Sequence, residues 1–107
     1  MNDLRQKRCV PCEGGVPTLG KPEVEKLLGQ VPGWELDGKW IIKEFQFKNF
    51  IEAIKFVNRA AAVAEEEGHH PDIHIHYNRV RFDIWTHAIN GLSENDFILA
   101  AKIDALK

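Results

Sequence analysis

Between Asn49 and Trp85 the spacing of apolar residues changes period once, and that change constrains the fold more than any other feature of the chain. Phe50, Ile51, Ile54, Val57, Ala61 and Ala64 recur at the three- and four-residue spacing of a helix face. Asn49 followed three residues later by Glu52 forms a capping box, and Gly68 is a natural stop, so the spacing predicts one helix over 50–67. Beyond it, Ile73, Ile75 and Tyr77 alternate with His74 and His76, then Val80, Phe82 and Ile84 alternate with Arg81, Asp83 and Trp85. That is the period of a half-buried hairpin, turning at Asn78-Arg79. A helix with one apolar face, next to a hairpin with one apolar face, buries both by lying across the sheet.

The flanking segments extend the same plan. In "WELDGKWIIKEFQF" the Asp37-Gly38 pair is a two-residue turn joining strands at 34–36 and 39–47. A short helix over 22–28 has Pro22 in its first turn and Gly29 at its end. At Ser93 the last helix begins, with Asp96 as its third residue and Leu92 facing Phe97 across the entry. The element order is α-β-β-α-β-β-α, which predicts an α+β fold: a four-stranded antiparallel sheet with helices packed on one face. In the last helix Phe97, Ile98, Leu99, Ala100, Ala101, Ile103, Ala105 and Leu106 leave almost no polar side. Such a helix needs cover on more than one face, which points to a second subunit. Residues 1–20 read as an N-terminal arm and 21–107 as a single domain, the size that one core supports.

Composition narrows the function. With 14 Lys and Arg against 16 Asp and Glu, the net charge of −2 leaves no basic stripe for phosphates, which argues against nucleic acid as a partner. No apolar run approaches the ~20 residues of a membrane span, and the polar start "MNDLRQKR" lacks a secretory core, so a cytoplasmic protein is expected. The two cysteines, Cys9 and Cys12 in "CVPCEGG", have the spacing of a redox pair or of half a zinc site. Pro11, Gly14, Gly15 and Pro17 surround them with turn residues, and no second pair exists, which favours an arm without redox function.

Four of the five histidines fall within "GHHPDIHIHY". A turn at Asn78-Arg79 pairs Tyr77 with Val80, Ile75 with Phe82, Ile73 with Ile84, His76 with Arg81 and His74 with Asp83. Extended past Pro71, the same register brings His70 near His87. His74, His76, Arg81 and Asp83 share the face away from the helices, where they read as a solvated polar face. The alternative for His74, His76 and Asp83 is a metal site. His69 follows Glu65 by four residues, just past the helix end, and Glu65 either faces water or orients His69. The run Glu65-Glu66-Glu67 sets carboxylates against the negative end of the helix dipole, and Glu66 and Glu67 read as solvated.

Glu65, His69-His70-Pro71, Tyr77, His87 and Asp96, with "THAINGLSENDFILAAKID" around the last two, resemble the pterin-4a-carbinolamine dehydratase family. The segments "CVPCEGGVP" and "PGWEL" resemble its bacterial branch. The resemblance implies the same α+β fold and the dehydration of a 4a-hydroxytetrahydropterin to the quinonoid dihydropterin, in tetrahydrobiopterin recycling. It implies no metal and no cofactor. His69 and His87 carry over as the acid/base pair, since imidazole exchanges protons near neutral pH. His70 carries over as the residue that binds and orients the pterin, with Pro71 and Ile73 beside it, and Glu65 as an orienting carboxylate. Asp96 matches the motif, but a helix cap accounts for it. The chain departs from animal members at Gly68, where they carry an acidic residue, and at Ile73, where they carry tryptophan. The partners implied are the pterin and further copies of the chain, as a homodimer or homotetramer. The rival reading is a non-catalytic pterin-binding or assembly protein that keeps the fold.

Overall fold

Three helices and four strands follow one another as α1 (Lys21–Leu28), β1 (Glu35–Asp37), β2 (Trp40–Gln46), α2 (Phe50–Glu67), β3 (Asp72–His76), β4 (Arg79–Ile84) and α3 (Glu94–Asp104). The computed structural model describes residues 4–7, 9 and 18–107. Single turns of 3-10 helix lie at Leu4–Gln6 and His87–Ile89. The strands form one antiparallel sheet in the order β1-β2-β4-β3, so the α+β order expected from the apolar spacing is the order observed.

Both hairpins turn one residue away from the expected place. Asp37 pairs with Trp40, so the first turn is Gly38-Lys39, with Gly38 at φ 65°, a conformation open to glycine. His76 pairs with Arg79 and Ile75 with Val80, so the second turn is Tyr77-Asn78 and not Asn78-Arg79. The cause lies in the neighbouring strand. Phe47 donates its amide to Asn78 O at 2.8 Å, and Asn78 Nδ2 donates to Phe47 O at 2.9 Å, which holds Asn78 in the turn and leaves Arg79 to pair with Gln46. The slip moves each cross-strand pair by two residues, so His74 faces Arg81 and Asp83 faces Asp72, while every side chain keeps its face.

Sheet residues Ile41, Phe45, Val80, Phe82 and Ile84 bury against Ala53, Phe56, Ala60 and Ala64 of α2 and against α3. The helix period was legible, but its buried stripe is rotated from the expected one. Small alanines face the sheet and let the backbones approach, whereas Phe50 and Ile51, in the exposed first turn, are 46% and 62% exposed. Phe56 fills the gap, with its ring 5.0 Å from Phe45 and from Phe47 and 6.0 Å from Phe82. Of the set expected on the inner face of the second hairpin, Val80, Phe82 and Ile84 are buried, but Ile75 on the edge strand and Tyr77 in the turn are exposed.

The last helix does not need a second subunit for its cover. Phe97, Ile98, Leu99, Ala100, Ala101 and Ile103 are buried within this one chain, enclosed by α2, α1 and the turn at Leu4–Gln6, whose Leu4 is itself buried. The expectation missed this because a three-residue turn in an arm carries no period to read. Asp104 closes the helix by accepting from Trp34 Nε1 at 3.2 Å and from Lys43 Nζ at 2.9 Å. No helix among the described residues is long and apolar enough to cross a membrane.

Candidate active site

The site begins where α2 stops. Gly68 takes the left-handed conformation at φ 66°, and the next amide, His69 N, donates back to Ala64 O at 3.2 Å. This is the wrapped helix end that glycine permits, and it turns the two following side chains in different directions. His69 points inward, 6% exposed, whereas His70 is exposed and lies back along the last turn of the helix.

Inside, His69 Nε2 lies 2.6 Å from Asp96 Oδ1, a carboxylate with no exposed surface. The other oxygen, Asp96 Oδ2, accepts from the Ser93 amide at 2.8 Å and from Thr86 Oγ1 at 2.8 Å. Thr86 spends its hydroxyl proton on Asp96, so the 2.9 Å contact between Ser93 Oγ and Thr86 Oγ1 has Ser93 donating. Three groups, the Ser93 amide, the Thr86 hydroxyl and Nε2 of His69, converge on this one buried carboxylate. The network joins the end of α2, the exit of β4 and the start of α3. Asp96 is thus the carboxylate that orients His69, in addition to its place in the helix cap.

Glu65 does not reach His69. Its Oε1 lies 2.7 Å from His70 Nε2, with both side chains more than half exposed. Helical i to i+4 spacing would have put it beside His69, but the chain leaves helical geometry at Gly68 before that spacing is complete.

His87 arrives from the other side. Thr86 and Gly91 form an isolated bridge, with Thr86 N donating to Gly91 O at 2.9 Å, and the turn His87–Ile89 is looped out between them. Its imidazole packs edge to face on the Trp85 ring, with centroids 4.3 Å apart. Gly68, His69, His70, Trp85, Thr86, His87 and Ala88 together line a cleft of about 160 Å³. A larger groove of about 590 Å³ runs past Lys43, Glu44, Phe45 and Asp104, but no histidine lines it, and of its two acids Asp104 is tied to Trp34 and Lys43. The smaller cleft is the one that gathers imidazoles, the side chains suited to proton exchange near neutral pH.

The three histidines expected to act together do meet there, although not by strand pairing, which ends at Asp72 and Asp83. Pro71 and Ile73 lie outside the cleft lining, and Ile73 packs partly buried against the core. Trp85 and Thr86 were missed. Trp85 carried a signal, a large aromatic at a position where the alternation places polar side chains. On the open sheet face, His74 Nε2 lies 3.2 Å from Asp83 Oδ2, and the same carboxylate takes Arg81 Nε at 3.0 Å. Among the described residues no cluster of three or more His, Cys, Asp or Glu side chains is placed to hold a metal ion. Cys12 lies outside the described residues, and Cys9 Sγ lies 3.6 Å from Asn95 O.

The sequence profile of the family described as Pterin 4 alpha carbinolamine dehydratase matches residues 17–106. The chain belongs to that family. A relative from Nitrosospira multiformis, provisionally named a pterin-4-alpha-carbinolamine dehydratase, is 51% identical over 106 residues, covering 99% of this chain and 94% of its own. Another from Halorhodospira halophila, with the same provisional name, is 53% identical over 105 residues, covering 96% of each. Among solved structures, a transcriptional coactivator/pterin dehydratase from Brucella melitensis superposes with a TM-score of 0.80 at 37% identity, over 84% of this chain and 98% of that one. A pterin dehydratase-like protein described as a RuBisCO assembly factor of the alpha-carboxysome superposes at 0.59 and 31% identity, over 69% of this chain and 88% of that one.

Proposed function

We propose that this member of the pterin-4a-carbinolamine dehydratase family removes water from a 4a-hydroxytetrahydropterin to give the quinonoid dihydropterin. The observation that carries the reading is the buried His69–Asp96 pair opening into the same cleft as His70 and His87. The bond from the bridgehead carbon to its hydroxyl breaks as that hydroxyl takes a proton, and the neighbouring ring N–H gives one up, so a carbon–nitrogen double bond forms and no electrons leave the molecule. One imidazole supplies the first proton and another receives the second. His69 and His87 take these two roles, with Asp96 holding His69 in one tautomer. His70, exposed at the rim and held by Glu65, binds and orients the ring, with Pro71 and Ile73 beyond it. A cleft of this size is smaller than a typical ligand pocket of ~300 Å³ or more. It grips one edge of a flat bicyclic ring and leaves the rest to the rim.

The assay is dehydration of freshly generated carbinolamine, with the spontaneous reaction subtracted. His69→Ala and His87→Ala should each lower turnover by ~10²–10⁴-fold, while His70→Ala mainly raises KM. Because both act on one event, the double variant His69→Ala/His87→Ala should lose less than the product of the single losses. Wild-type turnover in both single variants at saturating substrate sinks the assignment. The similarity to an assembly factor favours a second reading, a binding or assembly role without turnover, and a chain that binds the pterin but never exceeds the spontaneous rate would establish it. The proposal includes a cytoplasmic homodimer or homotetramer. Its association surface is drawn from the exposed apolar residues Leu36, Phe50, Ile51, Ile75 and Tyr77, and not from α3.

A further inference from the structure

His69 is oriented by a buried carboxylate, but His87 is not: among the described residues no acid is hydrogen-bonded to it. What touches His87 is Trp85, at 4.3 Å between ring centroids and 79° between planes. The indole is fixed in turn. Trp40, which follows the first hairpin turn, packs on it edge to face at 5.9 Å, and Lys39 from that same turn places Nζ 4.6 Å from the Trp85 ring centroid. Lys39 Nζ also donates a 2.7 Å hydrogen bond to Asn90 Oδ1, and Asn90, at φ 52°, is the left-handed residue that ends the turn carrying His87. A single ammonium thus bridges the aromatic stack and the far end of the loop, so the loop is clamped at both ends around an exposed imidazole.

We propose that Trp85 and Lys39 are positioning residues for His87, a clasp of ring contact, cation–π contact and hydrogen bond that holds the imidazole at the mouth of the cleft. This deepens the reading in which His87 transfers a proton. The physical need is plain, since an exposed side chain on a three-residue turn samples several rotamers, and proton transfer requires one of them. An aromatic face on one side and a tethered loop end on the other remove the alternatives. Lys39 suits the task because its point charge sits over the indole face while its remaining protons are free for an amide oxygen.

The test reads position separately from rate. In protein labelled with ¹³C-histidine, the imidazole signals of His87 should be displaced by the ring current of Trp85. Lys39→Met removes no ring, and by loosening His87 from Trp85 it should shift those signals toward free-histidine values. The same variant, and Trp85→Leu, should lower kcat roughly tenfold with KM within about twofold, as expected when an aligned proton donor or acceptor is let loose. Trp85→Phe keeps a ring face and should recover most of the loss. Unaltered His87 signals and turnover in Lys39→Met overturn the clasp. So does a rise in KM alone in Trp85→Leu, which would make the indole a binding wall for the ring of the substrate. Shifted signals with full turnover in Lys39→Met, while His87→Ala is impaired, overturn it as well. Full turnover in His87→Ala is a different result, since it removes the catalytic reading on which the clasp depends.

Discussion

At the scale of single residues, Asp96 is a carboxylate with no exposed surface, a demanding environment for an acid. A carboxylate without exposed surface persists only when its oxygens are matched by donors, and here the Ser93 amide, the Thr86 hydroxyl and the His69 imidazole supply them. Asp96→Asn replaces one of the two accepting oxygens by an NH₂ group, so at least one buried donor loses its partner. We expect a loss of about 1–3 kcal/mol in a denaturant melt, and a fall in turnover of ~10²-fold or more because the imidazole tautomer is no longer set. Lower stability with unchanged turnover would leave Asp96 as a helix cap and nothing else. Only half of this was legible in the sequence: the capping spacing from Ser93 points to one oxygen, whereas His69, 27 residues away, reaches the other through the fold. Glu65 shows the converse, since four-residue spacing pointed to His69 and the left-handed Gly68 redirected it to His70. Glu65→Gln should therefore raise KM severalfold and spare kcat. A fall in kcat at unchanged KM would return Glu65 to His69.

At the scale of elements, alternation decided faces but not pairs. Because side chains repeat every two residues, a hairpin slipped by one turn position keeps Val80, Phe82 and Ile84 inside and His74 and His76 outside. The exact turn depended on Phe47 and Asn78 bonding across to each other, a contact between segments 31 residues apart that no local pattern reveals. For the same reason the polar face could be read correctly while its directly opposed partners were not, and the expected His74–Asp83 contact survives the slip as a diagonal pair. His74, beside an Asp83 that also holds Arg81, and His76, opposite Arg79, remain on a face remote from the cleft lining. The double variant His74→Ala/His76→Ala should cost less than about tenfold in turnover, since neither touches the reacting ring, and chelator should leave the rate unchanged. A large loss in the double variant, or a stoichiometric metal in the purified protein, would move the chemistry to that face.

At the scale of the whole molecule, the question is what a helix apolar on all sides is for. Burial of α3 on several faces by α2, α1 and the turn at Leu4–Gln6 makes it the spine of the subunit, and it also carries Asp96 into the site from its first turn. Leu4 and Cys9 are part of that enclosure: Leu4 is 3% exposed, and the Cys9 amide donates to Glu67 Oε1 at 2.8 Å, while Lys102 of α3 lies 3.3 Å from Glu67 Oε2. A carboxylate read as solvated from its place in the run Glu65-Glu66-Glu67 is thus buried between Cys9 and Lys102. Charge placed in α3 should consequently unfold the subunit before it separates any assembly. Leu99 is fully buried, so Leu99→Asp introduces an unpaired charge into the core and should abolish the cooperative melt. Leu4→Asp, at the margin of the same cover, should leave a folded chain with a lower melting temperature, a loss in the ~2–5 kcal/mol range of buried leucine truncations. Thermal melts run beside light scattering decide the matter, because a Leu99→Asp chain that stays folded and merely halves its mass would make α3 an intersubunit helix after all.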